Sequence, residues 1–288
     1  MKLANDLEIA DIGLGTFPNK EKLEGVIPEA LELGYRLFDT SDDYYNEKYV
    51  GIGLRGRYDE KTYVTTKFSF HQYFAKVGER LDNSKKELNI SEDFENIIYL
   101  MHFPYPSVYV EIWKQMEQLY KEGKCKAIGV CNFEIKHLKR LEEECEIMPM
   151  INQIELHPLF QQKELCAYCA DRGIKIMAYS PVARHNEKLF GDEALNDIAK
   201  KYNKTLSQVI MRWNVQSGRS VIPATTSSGH LKENIDVFDF VLSEKEMQTI
   251  NELDEGMRIR YNPNTMFRYR FRLKMFVKYT MYKMFKKR

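Results

Sequence analysis

The chain has 288 residues, of which 43% are hydrophobic, and its formal net charge at pH 7 is +1. This hydrophobic fraction is sufficient for a large core, so the composition excludes a wholly disordered chain. No apolar run approaches the roughly 20 residues that span a membrane, and the N-terminus shows no apolar signal segment. Five cysteines, an odd number, indicate reduced thiols, and we expect a cytoplasmic protein.

The near-neutral total conceals an uneven distribution of charge. Residues 256–288 contain 11 Lys or Arg residues and no Asp or Glu. Residues 1–255 hold the other 32 basic residues and all 42 acidic ones, which gives them a net charge of −10. We therefore predict an acidic domain at residues 1–255 and a basic, aromatic-rich C-terminal tail at residues 256–288.

Eight short runs of apolar and β-branched residues recur along the acidic domain. In chain order they are DIGLGTF from residue 11, YRLFDTS from 35, TYVTTKF from 62, NIIYLMHF from 96, KAIGVCNF from 126, MINQIEL from 150, IKIMAYSP from 174 and SVIPATT from 220. Stretches of helical period lie between most of them, such as YVEIWKQMEQLYKEGK. Eight strand–helix units predict an α/β fold, a single-domain (β/α)8 TIM barrel, with a hairpin in KLANDLEIAD closing its floor.

Polar side chains recur where the predicted strands end. Asp39, Lys67 and His102 end the second, third and fourth strands, and the C-terminal ends of barrel strands form the active-site face. Each could be a structural residue on its own, but burying all three is costly unless they pair with each other. The set therefore predicts a functional site. Later strands add four more polar residues, Asn132, Gln153, Tyr179 and Ser180.

The chemistry of this set suits proton donation to a carbonyl group. A tyrosine hydroxyl, with a pKa of ~10, is a weak acid at neutral pH, and we expect a neighbouring lysine to lower that pKa. An aspartate would hold the lysine charged, and a histidine would hydrogen-bond the reacting oxygen. This favours reduction over hydrolysis. The sequence has no Walker loop or G-x-S-x-G elbow, and His102 and His157 lack metal-ligand spacing.

The motifs GLGTF, ALELGYRLFDTSDDYYNE, VTTKF, MHFP, AIGVCNF, INQIELHP, MAYSPV and HLKENIDVFDFVLS resemble, in order and spacing, those of the aldo-keto reductase family. The resemblance runs from about residue 11 to residue 254. It implies a (β/α)8 barrel that binds NADP or NAD without a Rossmann domain and reduces an aldehyde or ketone, or catalyses the reverse oxidation. The four catalytic residues that it implies are Tyr44 as proton donor with Asp39, Lys67 and His102.

The family pattern D-T-A-x-x-Y-G-N-E reads D-T-S-D-D-Y-Y-N-E in this chain. Tyr44 stands at the tyrosine of the pattern, and Tyr45 replaces its glycine. Glycine permits backbone conformations that other residues avoid, so we expect Tyr45 to strain the loop or to cover part of the pocket. The predicted substrate pocket consists of Phe17, Tyr45, Phe68 and Phe103.

The same resemblance implies a cofactor site. Asn132 and Gln153 would bind the nicotinamide carboxamide, Tyr179 would stack on the ring, and Ser180 would meet the pyrophosphate. The whole predicted site comprises Thr16, Asp39, Asn132, Gln153, Tyr179, Ser180, Val182, Pro223, Thr225, His230, Glu233 and Asn234, the last two at the adenine. Family members that use NADPH have Lys and Arg where this chain has Ala224 and His230, so the choice between NADP and NAD stays open.

Three interpretations of the basic tail stay open. It could line the substrate pocket, as the C-terminal segment of the family does, and end in a solvated stretch. Its interleaved basic and aromatic residues also favour adsorption to an anionic membrane, which would place the protein peripherally at the inner membrane surface. Nucleic-acid binding is least favoured, because the acidic domain repels a polyanion.

We therefore expect a monomeric carbonyl reductase whose partner is a small carbonyl substrate. The alternative is a non-catalytic, cofactor-binding regulatory protein that acts through a partner or a membrane surface. The complete set of Asp39, Tyr44, Lys67 and His102 favours catalysis, because a protein that only binds a cofactor has no need of a proton donor.

Overall fold

Eight parallel strands follow one another around one sheet in chain order. The computed structural model describes residues 1–69, 76–260 and 262–266. The parallel bridge between Ile12 and Val221 joins the last strand to the residues before the first and closes the sheet. The predicted barrel is confirmed. Its strands are β1 (Leu14–Gly15), β2 (Leu37–Asp39), β3 (Tyr63–Phe68), β4 (Ile97–Met101), β5 (Ala127–Cys131), β6 (Ile151–Glu155), β7 (Lys175–Tyr179) and β8 (Ser220–Val221).

Helices alternate with the strands and cover the outside of the sheet. They are α1 (Leu23–Glu32), α2 (Glu47–Leu54), α3 (Val77–Leu88), α4 (Tyr109–Lys121), α5 (Ile135–Glu144), α6 (Lys163–Ala170), α7 (Glu187–Phe190), α8 (Glu193–Tyr202), α9 (Leu206–Gln216), α10 (Ser228–Ile235), α11 (Glu244–Asn251) and α12 (Pro263–Met266). Gly123 and Gly173, with φ of 70° and 69°, follow α4 and α6. Because glycine adopts this left-handed conformation at little cost, the chain turns there into the next strand.

The floor of the barrel is closed by the N-terminal segment. Lys2 and Glu8 form an antiparallel bridge, and Leu3 and Ile9 are 3% and 4% exposed. Both side chains join the apolar cluster inside the barrel, which includes Leu37, Ile98, Leu100, Ile151 and Met177. Burying two such side chains contributes about 1.5–3 kcal/mol each. The predicted hairpin is confirmed.

The first residues of the basic tail are attached to the barrel. The backbone N–H of Met257 donates to the carbonyl oxygen of Leu159 at 2.9 Å. The N–H groups of Ile259 and Arg260 donate to the carboxylate of Glu155, at 2.6 and 3.1 Å. Glu155 ends β6 and is fully buried, and such a carboxylate needs donors of this kind. Hydrogen bonds therefore cross the boundary that the charge pattern predicts. The tail residues 261 and 267–288 lie outside the described part of the chain.

Tyr45 lies in the loop after β2 with a φ of 54°, in the left-handed region that favours glycine. Its side chain is 71% exposed, so burial of the ring offsets little of this strain. For an L-residue this conformation costs roughly 1–2 kcal/mol. The predicted strain in this loop therefore has a definite location, in the backbone of Tyr45.

Tyr45→Gly is expected to stabilise the fold by about 0.5–1 kcal/mol, because relief of the left-handed strain exceeds the entropy that glycine gains in the unfolded chain. Urea denaturation of both proteins measures the difference. Asn203→Gly is the matched control, since Asn203 has a similar φ of 52° but asparagine tolerates it. A loss of stability in Tyr45→Gly would show that the exposed ring makes contacts that outweigh the strain.

Candidate active site

A cavity of about 800 Å³ opens at the C-terminal ends of the strands. Sixteen of the residues that the sequence nominates line it. They are Thr16, Phe17, Asp39, Tyr44, His102, Phe103, Asn132, Gln153, Tyr179, Ser180, Val182, Pro223, Thr225, His230, Glu233 and Asn234. Lys67 does not line the cavity. It is fully buried and contacts Asp39, which does. The strand ends therefore meet as the barrel topology requires.

A buried ion pair forms the base of this site. The Nζ atom of Lys67 lies 2.8 and 2.7 Å from the two carboxylate oxygens of Asp39, and 2.7 Å from the carbonyl oxygen of Thr40. Asp39 also accepts hydrogen bonds from Thr65 at 2.5 Å and Gln153 at 2.7 Å. Burial alone would lower the pKa of Lys67, but the Asp39 carboxylate outweighs it and holds that pKa above its usual value. Lys67 is thus a fixed cation.

Tyr44 extends from the loop after β2 into the cavity wall. Its hydroxyl oxygen lies 3.4 Å from the Nζ atom of Lys67. Its ring contacts Phe17, at 4.9 Å between centroids, and meets the ring of His102 edge-on at 5.7 Å. Burial raises the pKa of Tyr44 by more than Lys67 lowers it, so the net shift is upward. Lys67 lowers this pKa as expected, but burial outweighs the lysine, so Tyr44 is a protonated phenol at neutral pH.

His102 is held by its Nδ1 edge. The Nδ1 atom lies 2.9 Å from the hydroxyl oxygen of Ser69 and 3.3 Å from that of Ser41. A carboxylate oxygen of Asp43 is also 3.3 Å away. The ring stacks on Phe103 with centroids 4.6 Å apart. Sequence reasoning missed the two serines and Asp43. Ser41 and Asp43 stand in the D-T-S-D-D-Y-Y-N-E motif, where their polar character was the available signal.

Asn132 and Tyr179 form a hydrogen-bonded pair in the cavity wall. The hydroxyl of Tyr179 donates to the side-chain oxygen of Asn132 at 2.8 Å. The side-chain nitrogen of Asn132 donates to the carbonyl oxygen of His102 at 3.0 Å, which joins the loops after β4 and β5. Burial raises the pKa of the Tyr179 phenol, which stays protonated. The pair presents an amide and an aromatic ring to the same space, as expected of a site for a flat heterocycle.

The loop after β7 holds several residues in a strained conformation. Ser180, Ala183, Arg184 and His185 have φ between 50° and 57°, and none of them is glycine. Backbone strain of this kind costs about 1–3 kcal/mol per residue and clusters at ligand sites. Ser180, Arg184 and His185 line the cavity. The sequence interpretation missed Arg184 and His185, although two basic residues that follow the S-P-V motif after Ala183 were a usable signal.

Two residues of the predicted substrate pocket do not line the cavity. Tyr45 points to solvent and covers no part of it. Phe68 is 3% exposed and packs in the core, edge-on to Tyr105 at 6.2 Å. Side chains alternate across a strand, so Phe68 and its neighbour Lys67 must face opposite sides of the sheet. This rule could have excluded Phe68 from the sequence alone.

Ala224, the position where NADPH-using members have Lys, also lines the cavity. The sequence analysis did not predict the remaining lining residues, which are Gly15, Pro18, Pro181, Phe190, Thr205, Leu206, Ser207, Met211, Ile222 and Arg260. Arg260 reaches the cavity because its backbone is bound to Glu155. In the described ranges, no three His, Cys, Asp or Glu side chains are grouped so as to hold a metal ion, and no helix is long and apolar enough to cross a membrane.

Curated proteins with known activities are similar to almost the whole chain. It is 40% identical over 272 residues to a 9,11-endoperoxide prostaglandin H2 reductase of Trypanosoma cruzi, covering 92% of this chain and 95% of that protein. It is also 40% identical over 269 residues to the methylglyoxal reductase DkgA of Escherichia coli K12, covering 92% and 96%.

Solved structures share the fold closely. An aldo-keto reductase from a Medee basin deep-sea metagenome library superposes with a TM-score of 0.86 at 35% identity, covering 92% of this chain and 98% of that one. A Bombyx mori aldo-keto reductase in complex with NADP gives 0.83 at 30% identity, covering 92% and 95%. The model of the Aldo/keto reductase family matches residues 10–255. The chain therefore belongs to the aldo-keto reductase family, and it is an NAD(P)-dependent oxidoreductase.

Proposed function

We propose that this protein reduces the carbonyl group of a small aldehyde or ketone with NADPH or NADH, and that Tyr44 donates the proton. One observation carries the assignment of roles. The buried Lys67 cation lies between the Asp39 carboxylate and the Tyr44 hydroxyl, 3.4 Å from the latter, at the wall of the cavity. A protein that only binds the cofactor has no use for a cation placed to stabilise a phenolate.

The lining of the cavity fits a dinucleotide. Its volume, about 800 Å³, lies within the usual range of cofactor sites. At one end are the side chains of Asn132, Gln153 and Tyr179, which offer amides and a ring. The other end includes Thr225 and the N-terminal half of α10, whose orphan N–H groups favour anions. When bound there, a reduced nicotinamide supplies the hydride.

The roles of the chain's own residues follow from these positions. As the carbonyl carbon accepts the hydride, the C=O π pair moves to oxygen, which takes the proton from the Tyr44 hydroxyl and becomes an alcohol. The developing alkoxide is about as basic as hydroxide, whose conjugate acid has a pKa of ~16, so a phenol with a raised pKa still protonates it. Lys67 stabilises the phenolate that is left, and a proton from solvent restores Tyr44.

The relatives suggest which carbonyl compounds to test first. Besides the methylglyoxal reductase, a glyoxal reductase of Bacillus subtilis is 38% identical over 269 residues. Phe17, Phe103 and the ring of Tyr44 make the substrate end of the cavity aromatic, which suits compact carbonyl compounds with little charge. We propose small 2-oxoaldehydes as the first substrate class.

Tyr44→Phe is expected to lower the reductase kcat at least ~10²-fold, because it removes the proton donor and leaves the ring packing. Tyr45→Phe is the matched control and is expected to change kcat little, since this side chain does not line the cavity. Consumption of NADPH with methylglyoxal measures both rates, and quenching of intrinsic fluorescence checks that cofactor binding is kept. A wild-type rate in Tyr44→Phe would show that Tyr44 is not the proton donor. If the wild type reduced no carbonyl compound, the non-catalytic regulatory alternative would be favoured.

Ala224→Lys is expected to tighten NADPH binding by about 1–2 kcal/mol and to leave NADH binding nearly unchanged. Ala224 lines the cavity with Thr225 and His230, and Ala224 and His230 stand at the positions where NADPH-using members carry the Lys and Arg that bind the adenosine 2′-phosphate. Ala224→Met controls for side-chain length without charge. Fluorescence titration with each cofactor gives the dissociation constants. A wild type that already binds NADPH far more tightly than NADH would contradict the proposed lack of discrimination.

The membrane interpretation of the tail stays a proposal, and it concerns mainly residues outside the described part of the chain. Nine of the 11 basic tail residues lie in residues 267–288. Cutting after Met266 keeps the hydrogen bonds to Glu155 and removes those charges. We expect the full chain, but not the cut one, to sediment with anionic vesicles and to be released by salt. Equal sedimentation of both would exclude the membrane, and a tail-dependent DNA gel shift would favour nucleic acid.

A further inference from the structure

The Nδ1 edge of His102 faces a connected group of polar side chains to which the proposed reaction assigns no role. Ser69 lies 2.9 Å from the Nδ1 atom, and its hydroxyl oxygen is 3.2 Å from that of Ser41. The Ser41 hydroxyl donates to a carboxylate oxygen of Asp43 at 2.7 Å. Ser41 and Ser69 are 0% and 2% exposed, so water does not compete for these hydrogen bonds. We call Ser69, Ser41 and Asp43 the serine–aspartate chain.

The Asp43 carboxylate, at the end of the serine–aspartate chain, determines which of its neighbours must donate a hydrogen bond. An ionised carboxylate only accepts hydrogen bonds. Burial would raise the pKa of Asp43, but hydrogen bonds from His102 and the serines hold it well below its usual range, so Asp43 is ionised. Ser41 gives its proton to Asp43. The Asp43 carboxylate also lies 3.3 Å from the Nδ1 atom of His102 and can only accept, so Nδ1 carries a proton.

The remaining charges around His102 do not change this assignment. Asp42, beside Asp43, accepts a hydrogen bond from the Nε atom of Arg80 at 3.0 Å. Lys67 is paired with Asp39 behind Tyr44, and Tyr44 itself is a neutral phenol. Asn132 contacts the backbone carbonyl of His102 rather than its ring. Asp43 is thus the anion nearest to the imidazole.

A proton fixed on Nδ1 decides what His102 offers the cavity. In neutral imidazole only one nitrogen carries a proton, so Nε2 would present a lone pair to the substrate. A carbonyl oxygen also presents lone pairs, and the two would repel each other. The doubly protonated ring, in contrast, presents an Nε2–H donor. The charge state of His102, rather than a choice of tautomer, therefore controls its hydrogen bond to the substrate.

We propose that Asp43 is a positioning residue which, by accepting hydrogen bonds from Nδ1 and from Ser41, keeps the Nδ1 proton on His102, so that His102 polarises the substrate carbonyl only as an imidazolium. This inference rests on the proposed function and adds a role for an anion that lies next to the proton donor in sequence. Asp43 does not touch the substrate in this scheme. It acts on the ring that does.

The first test measures the proton on the ring directly and needs no substrate. Nitrogen-15 NMR of histidine-labelled protein at alkaline pH reports which nitrogen is protonated in the neutral ring, and His102→Gln identifies the resonance. We expect Nδ1–H in the wild type. In Asp43→Asn an amide can donate to Nδ1, so we expect the Nε2–H form to predominate, and Asp43→Glu should restore Nδ1–H. An Nε2–H ring in the wild type overturns the proposal, whether or not the variants fold.

The second test uses the reaction. With methylglyoxal, the wild-type kcat/KM is expected to fall more steeply as pH rises than that of Asp43→Asn, in which the uncharged ring can also donate to the substrate. KM for the cofactor is expected to be the same in both proteins. An unchanged pH profile and ring proton in Asp43→Asn contradict the role of Asp43. A wild type that reduces no carbonyl compound refutes the proposed function instead, and leaves the NMR result to decide the proton assignment.

Discussion

A lysine ammonium that is fully removed from water is the constraint on which this site depends. Lys67 is 0% exposed, and a charge so placed is tolerated only when its partners replace the lost hydration. Asp39 and the carbonyl of Thr40 supply that replacement, and Thr65 and Gln153 hold Asp39 in turn. Strands β2, β3 and β6 are thereby joined around one cation. Losing one member of such a buried pair typically costs about 3–5 kcal/mol, so the site and the fold constrain each other.

Two acid–base groups share the cavity, and their surroundings give them different properties. Tyr44 is buried beside a cation, and burial dominates, so the phenol keeps its proton at neutral pH. The Nδ1 atom of His102 faces the Asp43 carboxylate and two serine hydroxyls that belong to the protein itself. Burial thus dominates the surroundings of Tyr44, and hydrogen-bonding partners dominate those of His102. Different environments around neighbouring titratable groups commonly separate their roles in this way.

The barrel and the grouping of the polar strand ends could be predicted from the sequence, because parallel connectivity decides which strand ends become neighbours. Tyr44 and most of the cofactor residues were instead implied by the resemblance to the family. Asp39, Lys67 and His102 are far apart in sequence, yet alternation of strands and helices alone brings them together. The pKa of Tyr44 could not be predicted, because it depends on a balance of burial and charge that only the folded arrangement defines. Arg260 could not be placed either, since its position depends on a hydrogen bond to β6 that no local pattern encodes.

The attachment of the tail to Glu155 also affects the order in which parts of the protein form during synthesis. In sequence, 104 residues separate Glu155 from Ile259, whose N–H it accepts. At the roughly 5–20 residues per second of protein synthesis, a ribosome needs about 5–20 seconds to cover that distance. During this interval β6 can already pair with its neighbours, while the Glu155 carboxylate has His157 at 3.2 Å but still lacks the N–H donors of Ile259 and Arg260. The cavity acquires its Arg260 wall only after all eight strands have been synthesised, so this side of the cavity forms later than the barrel that carries it.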